Sequence, residues 1–221
     1  MKLVFPDIHQ PIVFEDGFFS SLVIENPRLL YRLISDFKNQ LLGMSGMLVL
    51  SEKDEPIAIS KNIELITDVV NFDINTKTLL TKIISALEKQ AIDEEHIGET
   101  NELLAYIERY IFNLTDDFDV ELRCDKISAN SVLKSVGISI VSDFDSPLDA
   151  FHSYIQLVNE YMGTRVFVFL NMRGFFTDDE IQSFVNMEIG HDNKILLLDN
   201  KAYPLLKNEK RLIIDADLCE I

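Results

Sequence analysis

The densest group of side chains that could do chemistry is an acidic run in the middle of the chain. It reads Asp116-Asp117-Phe118-Asp119-Val120-Glu121, with Asp125 following. Carboxylate oxygens at this density suit calcium, which takes about six to eight oxygen ligands. Asp119 and Glu121 alternate, so on an extended segment they project to one side, with Asp125 further along. The run therefore indicates either a calcium site, which is not an EF-hand because the required glycine is missing, or a solvated acidic loop between helices.

The sequence disfavours two enzyme classes, nucleases and nucleotide hydrolases. A nuclease needs clustered carboxylates around two metals, usually at the strand ends of an α/β sheet, and this run falls on a helical part of the chain. A nucleotide hydrolase needs a glycine-rich phosphate cradle, but the first strand-to-helix turn is Glu25-Asn26-Pro27, without glycine or lysine. Asp199 and Asp215, after apolar strands, are the remaining candidates to hold magnesium, and either could equally cap a turn.

The net charge and the histidine and cysteine residues limit the possible ligands and the cellular location. The chain has 37 acidic against 20 basic residues and a net charge of −17, which taken alone argues against nucleic-acid binding. An oligomer could still place lysines on an inner face and acids outside. The four histidines are scattered without the paired spacing of a zinc site. Cys124 and Cys219 are too few for a disulfide framework, and no membrane span or signal peptide is evident, so a cytoplasmic location is expected.

The basic residues are dispersed along the chain rather than clustered. Lys53 and Lys61 flank one predicted hairpin, and Arg123, Lys126 and Lys134 follow the acidic run. If the acids hold calcium, their charge is offset and these neighbours become available for phosphates. If the chain binds nucleic acid, the candidate residues for contact with DNA are Arg32, Lys53, Lys61, Lys126 and Lys134.

The elements that would position these residues form an α/β domain with a helical insertion. Leu22 to Ile24 predicts a strand, Asn26 a helix cap and Pro27 the first helical residue. Later helices begin at Ser146-Pro147 and at a capping box that starts at Thr177. Buried strands are predicted at 166–170, 194–199 and 211–215, and a further strand at 138–141. Residues 1–68 and 138–221 are thus predicted to form the α/β domain, and residues 69–137 the mainly helical subdomain.

Within the insertion, two helices are predicted at about 76–90 and 100–114, and a short third one near 128–136. Leu103, Ile107, Tyr110 and Leu114 recur at spacings of three and four residues, as in a coiled-coil seam. The first two helices are therefore expected to pair as an antiparallel hairpin.

Three longer stretches resemble one known family. They are ITDVVNFDINTKTLL at 66–80, KSVGISI at 134–140 and VFVFLNMRGFFTDDEIQSF at 166–184. In length and order they are similar to the type II-A CRISPR-associated adaptation proteins, the Csn-two family. The resemblance covers essentially the whole chain.

The resemblance implies a fold and a function. The fold is a domain similar to P-loop ATPases but without their nucleotide site, plus a protruding helical domain. Members form homotetrameric rings that bind double-stranded DNA, preferably at free ends, need calcium, have no enzymatic activity, and act with the integrase and effector proteins in spacer acquisition. The family's calcium segment falls on Asp119, Glu121 and Asp125. The alternatives are a divergent nucleotide hydrolase and a pure protein scaffold of the adaptation complex.

Overall fold

A computed structural model describes residues 1–115, 118, 120, 122, 123 and 125–221. The chain divides into two compact units: Met1–Phe72 with Phe144–Ile221, and Asp73–Asp143. The corresponding predicted ranges are 1–68 with 138–221, and 69–137. Among the described helices, none is both long and apolar enough to cross a membrane.

The first unit is a mixed α/β unit with two sheets. In chain order its elements are β1 (Lys2–Val4), β2 (Ile12–Val13), β3 (Phe19–Ile24), α1 (Pro27–Leu41), β4 (Val49–Glu52), β5 (Glu55–Ile57), α2 (Ile59–Asn62), β6 (Ile63–Ile66), α6 (Pro147–Met162), β7 (Val166–Leu170), a 3-10 turn (Met172–Gly174), α7 (Asp178–Gly190), β8 (Lys194–Asp199) and β9 (Glu209–Ile214). Five strands form a parallel sheet in the order β6-β7-β8-β3-β9. The other four form an antiparallel sheet in the order β2-β1-β4-β5.

Local capping explains where the main helices begin. The Asn26 side chain accepts from the backbone N–H groups of Arg28 and Leu29, and Pro27 occupies the first turn of α1. Ser146 caps α6 in the same way, and Thr177 forms a capping box at the start of α7. These three starts confirm the sequence predictions, because each signal is complete within about four residues.

Helices cover both faces of the parallel sheet. On one face, Leu29, Leu33 and Phe37 of α1 join a buried cluster with Leu22 and Val168, to which the antiparallel sheet also contributes. On the other face the core is aromatic: the Phe169 ring lies 5.2 Å from that of Phe151 on α6 and 5.5 Å from that of Phe184 on α7. With all five strands parallel, their carboxyl ends meet at one edge of the sheet, where ligands of α/β proteins usually bind.

The second unit contains three helices among its described residues: α3 (Lys77–Ala91), α4 (Ile97–Thr115) and α5 (Ala129–Ser135). The predicted close packing of α3 against α4 is wrong, because α3 packs against α5 and no described side chain of α4 is buried. The two helices meet at a groove that Leu87 and Leu103 help to line. The predicted strand at 138–141 is also wrong, since those residues form no strand. Instead, the Asn75 side chain accepts from the Ile140 N–H (2.7 Å) and donates to the Ile140 carbonyl (3.1 Å). These two hydrogen bonds occupy the backbone groups of Ile140 that would pair with a neighbouring strand.

Candidate nucleic-acid interface

In the turn between β3 and α1, the first amides of the helix are occupied by its own cap. Asn26 Oδ1 accepts from the N–H groups of Arg28 and Leu29, both at 3.1 Å, and the Leu30 N–H donates to the Asn26 carbonyl. Pro27 has no N–H. An anion at a helix N-terminus is bound by these same amides, so this helix start is satisfied by its own cap. The Asn26 amide also donates to the Ala216 carbonyl at 2.9 Å, which fixes the cap in place.

The two acids at the strand ends differ in their surroundings. Asp199, the last residue of β8, is 1% exposed, and its Oδ1 has no hydrogen-bond partner among the described residues. Burial raises the pKa of Asp199 to about 6, against the opposing effect of the Arg173 charge. Asp215 Oδ1 accepts from the N–H groups of Asp217 (2.9 Å) and Cys219 (2.8 Å). Asp215 thus caps a turn, and Asp199 is an interior carboxyl.

A buried charged network near Asp199 was not predicted from the sequence. Arg173 Nη2 donates to Asp178 (2.7 Å) and to the Pro204 carbonyl (2.8 Å). Arg211 Nε donates to Glu209 (2.6 Å), whose carboxylate also accepts from the Ser21 hydroxyl. The network fastens the loop between β8 and β9 to the sheet. Its members come from distant parts of the chain, so no local pattern marks them.

A second unpredicted group joins α6 to α7. Glu188 on α7 is 0% exposed, its Oε1 lies 2.7 Å from His152 Nδ1 on α6, and its Oε2 accepts from Asn193 Nδ2 at 2.7 Å. Burial raises the pKa of Glu188, and the hydrogen bonds to His152 and Asn193 partly offset this rise. In the sequence these residues are an ordinary helical glutamate and a scattered histidine. The group therefore serves packing between the two helices.

Of the three predicted calcium ligands, the structure describes one. Asp119 and Glu121 lie outside the described residues, so their part of the prediction remains a prediction. Asp125 is exposed and lines a groove of about 380 Å³ in the second unit, together with Glu108, Thr115 and Lys126. Two carboxylates and a hydroxyl at one groove are the hard oxygen donors that calcium prefers. Within the described part of the chain, no three His, Cys, Asp or Glu residues form a metal-binding group.

All five predicted DNA-contacting residues are exposed, but they are not equivalent. Arg32 is paired with Asp7 at 2.6 Å and lies over the Phe5 ring, so its charge is already partly satisfied. Lys53 lies at the tip of the β4–β5 hairpin, and Lys61 in α2 of the same unit. Lys126 and Lys134 belong to the second unit. The predicted contacts are thus divided between the two units: Arg32, Lys53 and Lys61 belong to the first, and Lys126 and Lys134 to the second.

Helix α4 carries an exposed row of large apolar side chains. Leu103 is 51% exposed and Tyr110 56%, and both belong to the seam that was predicted to pair with α3. Tyr106, Phe112 and Leu114 on the same helix are exposed as well. Exposed apolar surface of this extent on a helix is typical of protein–protein contact. Leu103, Tyr106, Tyr110 and Leu114 follow one another at three and four residues along one face of the helix, and we call these four residues the α4 apolar row.

Comparison with known proteins decides the family. The sequence model of a family described as CRISPR-associated protein (Cas_Csn2) matches residues 24–218, which is most of the chain. The chain belongs to this family. The resemblance predicted from the three longer sequence stretches is thereby confirmed.

Individual members of the Csn2 family are distant relatives. A protein from Streptococcus agalactiae named CRISPR-associated protein Csn2 is 24% identical over 183 residues, which cover 82% of this chain and 80% of the relative. A protein of the same name from Enterococcus faecalis is 23% identical over 152 residues, which cover 68% of each chain.

Proposed function

We propose that this protein is a calcium-dependent homotetrameric ring that binds double-stranded DNA, preferably at its ends, without reading its sequence. We further propose that it does so without catalysis, with the CRISPR integrase and effector proteins, when new spacers are acquired. The observation that carries the proposal is membership of the CRISPR-associated Csn2 family over most of the chain. The geometry of the described residues supports three parts of the proposal: the absence of a nucleotide site, self-association and calcium binding.

The absence of catalysis is supported by the β3–α1 turn and by the strand ends. We propose a P-loop-ATPase-like architecture without a functional nucleotide site. Asn26 occupies the amides that would hold a phosphate, and Asp215 is engaged in a turn. Asp199 is interior, so a magnesium-bound water at a nucleotide would not reach it without rearrangement. These features disfavour a divergent nucleotide hydrolase.

The homotetramer is supported by the α4 apolar row. Leu103 and Tyr110 are about half-exposed on one helix. If a second copy of the chain covers them, the assembly is stabilised by roughly 25 cal/mol for each Å² of apolar surface that is buried. An oligomer also accounts for DNA binding by a chain with net charge −17, because cations can be concentrated on one side of a ring and acids on the other.

Calcium dependence is supported by the chemistry of the acidic segment. Asp125 is the described ligand candidate, with Glu108 at the same groove, and Asp119 and Glu121 are the predicted partners from the sequence. When bound, calcium would supply positive charge that offsets these carboxylates. The neighbouring Lys126 would then face a phosphate without a competing acid.

A gel-shift experiment tests the proposed function. The protein is mixed with a linear duplex and with covalently closed circular DNA of the same sequence, in calcium or in excess chelator. We expect a shift of the linear duplex in calcium, little or none of the closed circle, and no shift in chelator. Equal binding to both DNA forms would contradict end binding, and no binding at low salt would leave the protein a pure scaffold.

A further inference from the structure

Charge is unevenly divided between the helices of the second unit. Helix α3 carries Lys77, Lys82 and Lys89 and a single acid, Glu88. The α3–α4 connection contributes three acids, and α4 itself carries Glu99, Glu102 and Glu108 against Arg109. The unit therefore presents one basic helix beside one acidic helix, although its overall charge is negative.

One face of α3 combines lysines with hydroxyl residues. Thr78, Lys82, Ser85 and Lys89 follow one another at four, three and four residues, so they lie along a single helical stripe. At 1.5 Å per residue the stripe is about 16 Å long. Thr78, Lys82 and Lys89 are exposed and Ser85 is half-exposed. We call these four residues the lysine stripe.

The groups on the lysine stripe are not engaged elsewhere. Within the described part of the chain, neither Lys82 nor Lys89 is in an ion pair, and the hydroxyls of Thr78 and Ser85 make no hydrogen bond. Several cations of the first unit are engaged instead: Lys194 is paired with Asp16, Arg165 with Glu52, and Arg32 with Asp7. The stripe is thus, among the described residues, a set of unengaged donors along one helix.

The single acid of α3 is hydrogen-bonded to a neighbouring helix. Glu88 is half-buried, and its carboxylate accepts a hydrogen bond from Asn130 Nδ2 on α5 at 2.7 Å. Helix α5 packs against α3 and carries an exposed Lys134 in its last turn. The stripe thus has two lysines of its own and a further lysine on the packed helix α5, against a single acid on α3 whose carboxylate is hydrogen-bonded to α5.

We propose that the lysine stripe of α3 contacts the phosphodiester backbone of duplex DNA. Lysine ammonium groups and serine or threonine hydroxyls are among the usual donors to phosphate oxygens, and such contacts hold the duplex without reading its sequence. This inference rests on the proposed DNA binding and adds a location for it. We expect α3 to contribute more to DNA affinity than Arg32 does, because the Arg32 guanidinium is already paired with Asp7.

The test compares two charge-matched double variants by fluorescence anisotropy with a labelled linear duplex over a range of salt concentrations in calcium. One variant is Lys82→Gln with Lys89→Gln. The control is Lys38→Gln with Lys207→Gln, two exposed lysines of the first unit whose replacement removes the same charge. Lysine and glutamine have similar helix propensities, and thermal melts of both variants verify folding.

We expect the affinity of the stripe variant for the duplex to be lower by roughly tenfold or more near 100 mM salt. The slope of log affinity against log salt concentration should become shallower by about 0.9 for each phosphate that the variant no longer neutralises. The control should change by less than about threefold, and Lys82→Arg with Lys89→Arg should retain binding because charge is kept. If the unsubstituted protein binds and the stripe variant keeps both affinity and slope, the stripe does not touch DNA. If the unsubstituted protein does not bind at all, the proposed function fails as well.

Discussion

Asn130 on α5 donates a hydrogen bond to the Glu88 carboxylate at 2.7 Å, and this bond ties the single acid of α3 to a neighbouring helix. Glu88 precedes Lys89 in the chain, so its negative charge still lies near the lysine stripe. Replacing Glu88 by Gln keeps a side-chain oxygen for Asn130 and removes the charge. We expect DNA affinity to rise by about two- to fivefold at low salt, because interactions between charges near a protein surface contribute about 0.2–1 kcal/mol.

The same anisotropy titration checks this prediction. Glu160→Gln, an exposed acid on α6 in the other unit, is the control for the change in net charge. Equal gains in both variants would show that only net charge matters and that Glu88 has no local effect on the stripe.

Asp199 should give the protein a pH-dependent stability. Its pKa is raised by burial to about 6, so the folded state holds the proton more tightly than the unfolded chain does. The stabilising contribution is complete below the unfolded pKa of 3.8 and is lost as pH rises through about 6. The neutral Asp199→Asn variant does not show this decline. Its free energy of unfolding should exceed that of the unsubstituted protein by on the order of 2–3 kcal/mol at pH 8, and the difference should vanish near pH 4.

Urea unfolding of both proteins at several pH values between 4 and 8 measures this difference. Parallel pH profiles would contradict the assignment of a raised pKa to Asp199. The Asp199→Asn variant should also bind DNA like the unsubstituted protein, because the carboxyl is interior.

The Asn26 cap should matter for stability and not for any ligand. Asn26→Ala frees the N–H groups of Arg28 and Leu29 and removes the bond to the Ala216 carbonyl. We expect the free energy of unfolding to fall by about 1–2 kcal/mol. Asn26→Asp retains the capping oxygen and should be less destabilised. ATP should stabilise none of these proteins in thermal melts, and a clear ATP-dependent rise in melting temperature would contradict the proposed absence of a nucleotide site.

The α4 apolar row should be needed for assembly. Leu103→Glu combined with Tyr110→Glu introduces charge at two exposed positions two helical turns apart, and neither side chain is part of the described core. We expect a folded protein of lower oligomeric mass in size-exclusion chromatography with light scattering. Tyr31→Glu, at a position that is 75% exposed on α1, is the control and should leave the mass unchanged. An unchanged mass in the α4 variant would place the subunit interface elsewhere.

Much of the fold was predictable because its signals are local. The caps at Asn26, Ser146 and Thr177 and the strands at 166–170 and 194–199 were predicted correctly, since each depends on a few adjacent residues. Strand β6 was not recognised, because Ile63–Ile66 is short and follows a four-residue helix.

The features that the sequence did not reveal depend on distant partners. Glu188 looks like a surface residue of α7 until His152 and Asn193 are brought beside it, and Glu209 becomes buried only because Arg173 and Arg211 surround it. The apolar spacing of α4 was recognised correctly, but periodicity cannot tell which helix covers a seam. In this structure Leu103, Tyr110 and Leu114 of the predicted seam stay exposed.

The lysine stripe shows the same limit for the candidate site. In the sequence, Lys82 and Lys89 are two dispersed cations among many. The helix predicted at about 76–90 is enough to put them on one face with Thr78 and Ser85, but only the fold brings Asn130 to the Glu88 carboxylate and shows that the two lysines are unpaired among the described residues. The pairing of Arg32 with Asp7 likewise joins residues that are far apart in the sequence, so no local pattern predicts it.

The measurement that tests the proposed function most directly is the oligomeric mass of the protein with and without calcium. Light scattering of the 25.3 kDa chain in calcium should give about four times the monomer mass, and excess chelator should lower that mass or loosen the assembly. Asp125→Ala should shift this response to higher calcium concentrations, because one predicted ligand is removed. A stable monomer in calcium, or a mass that neither calcium nor chelator changes, would contradict the calcium-dependent ring.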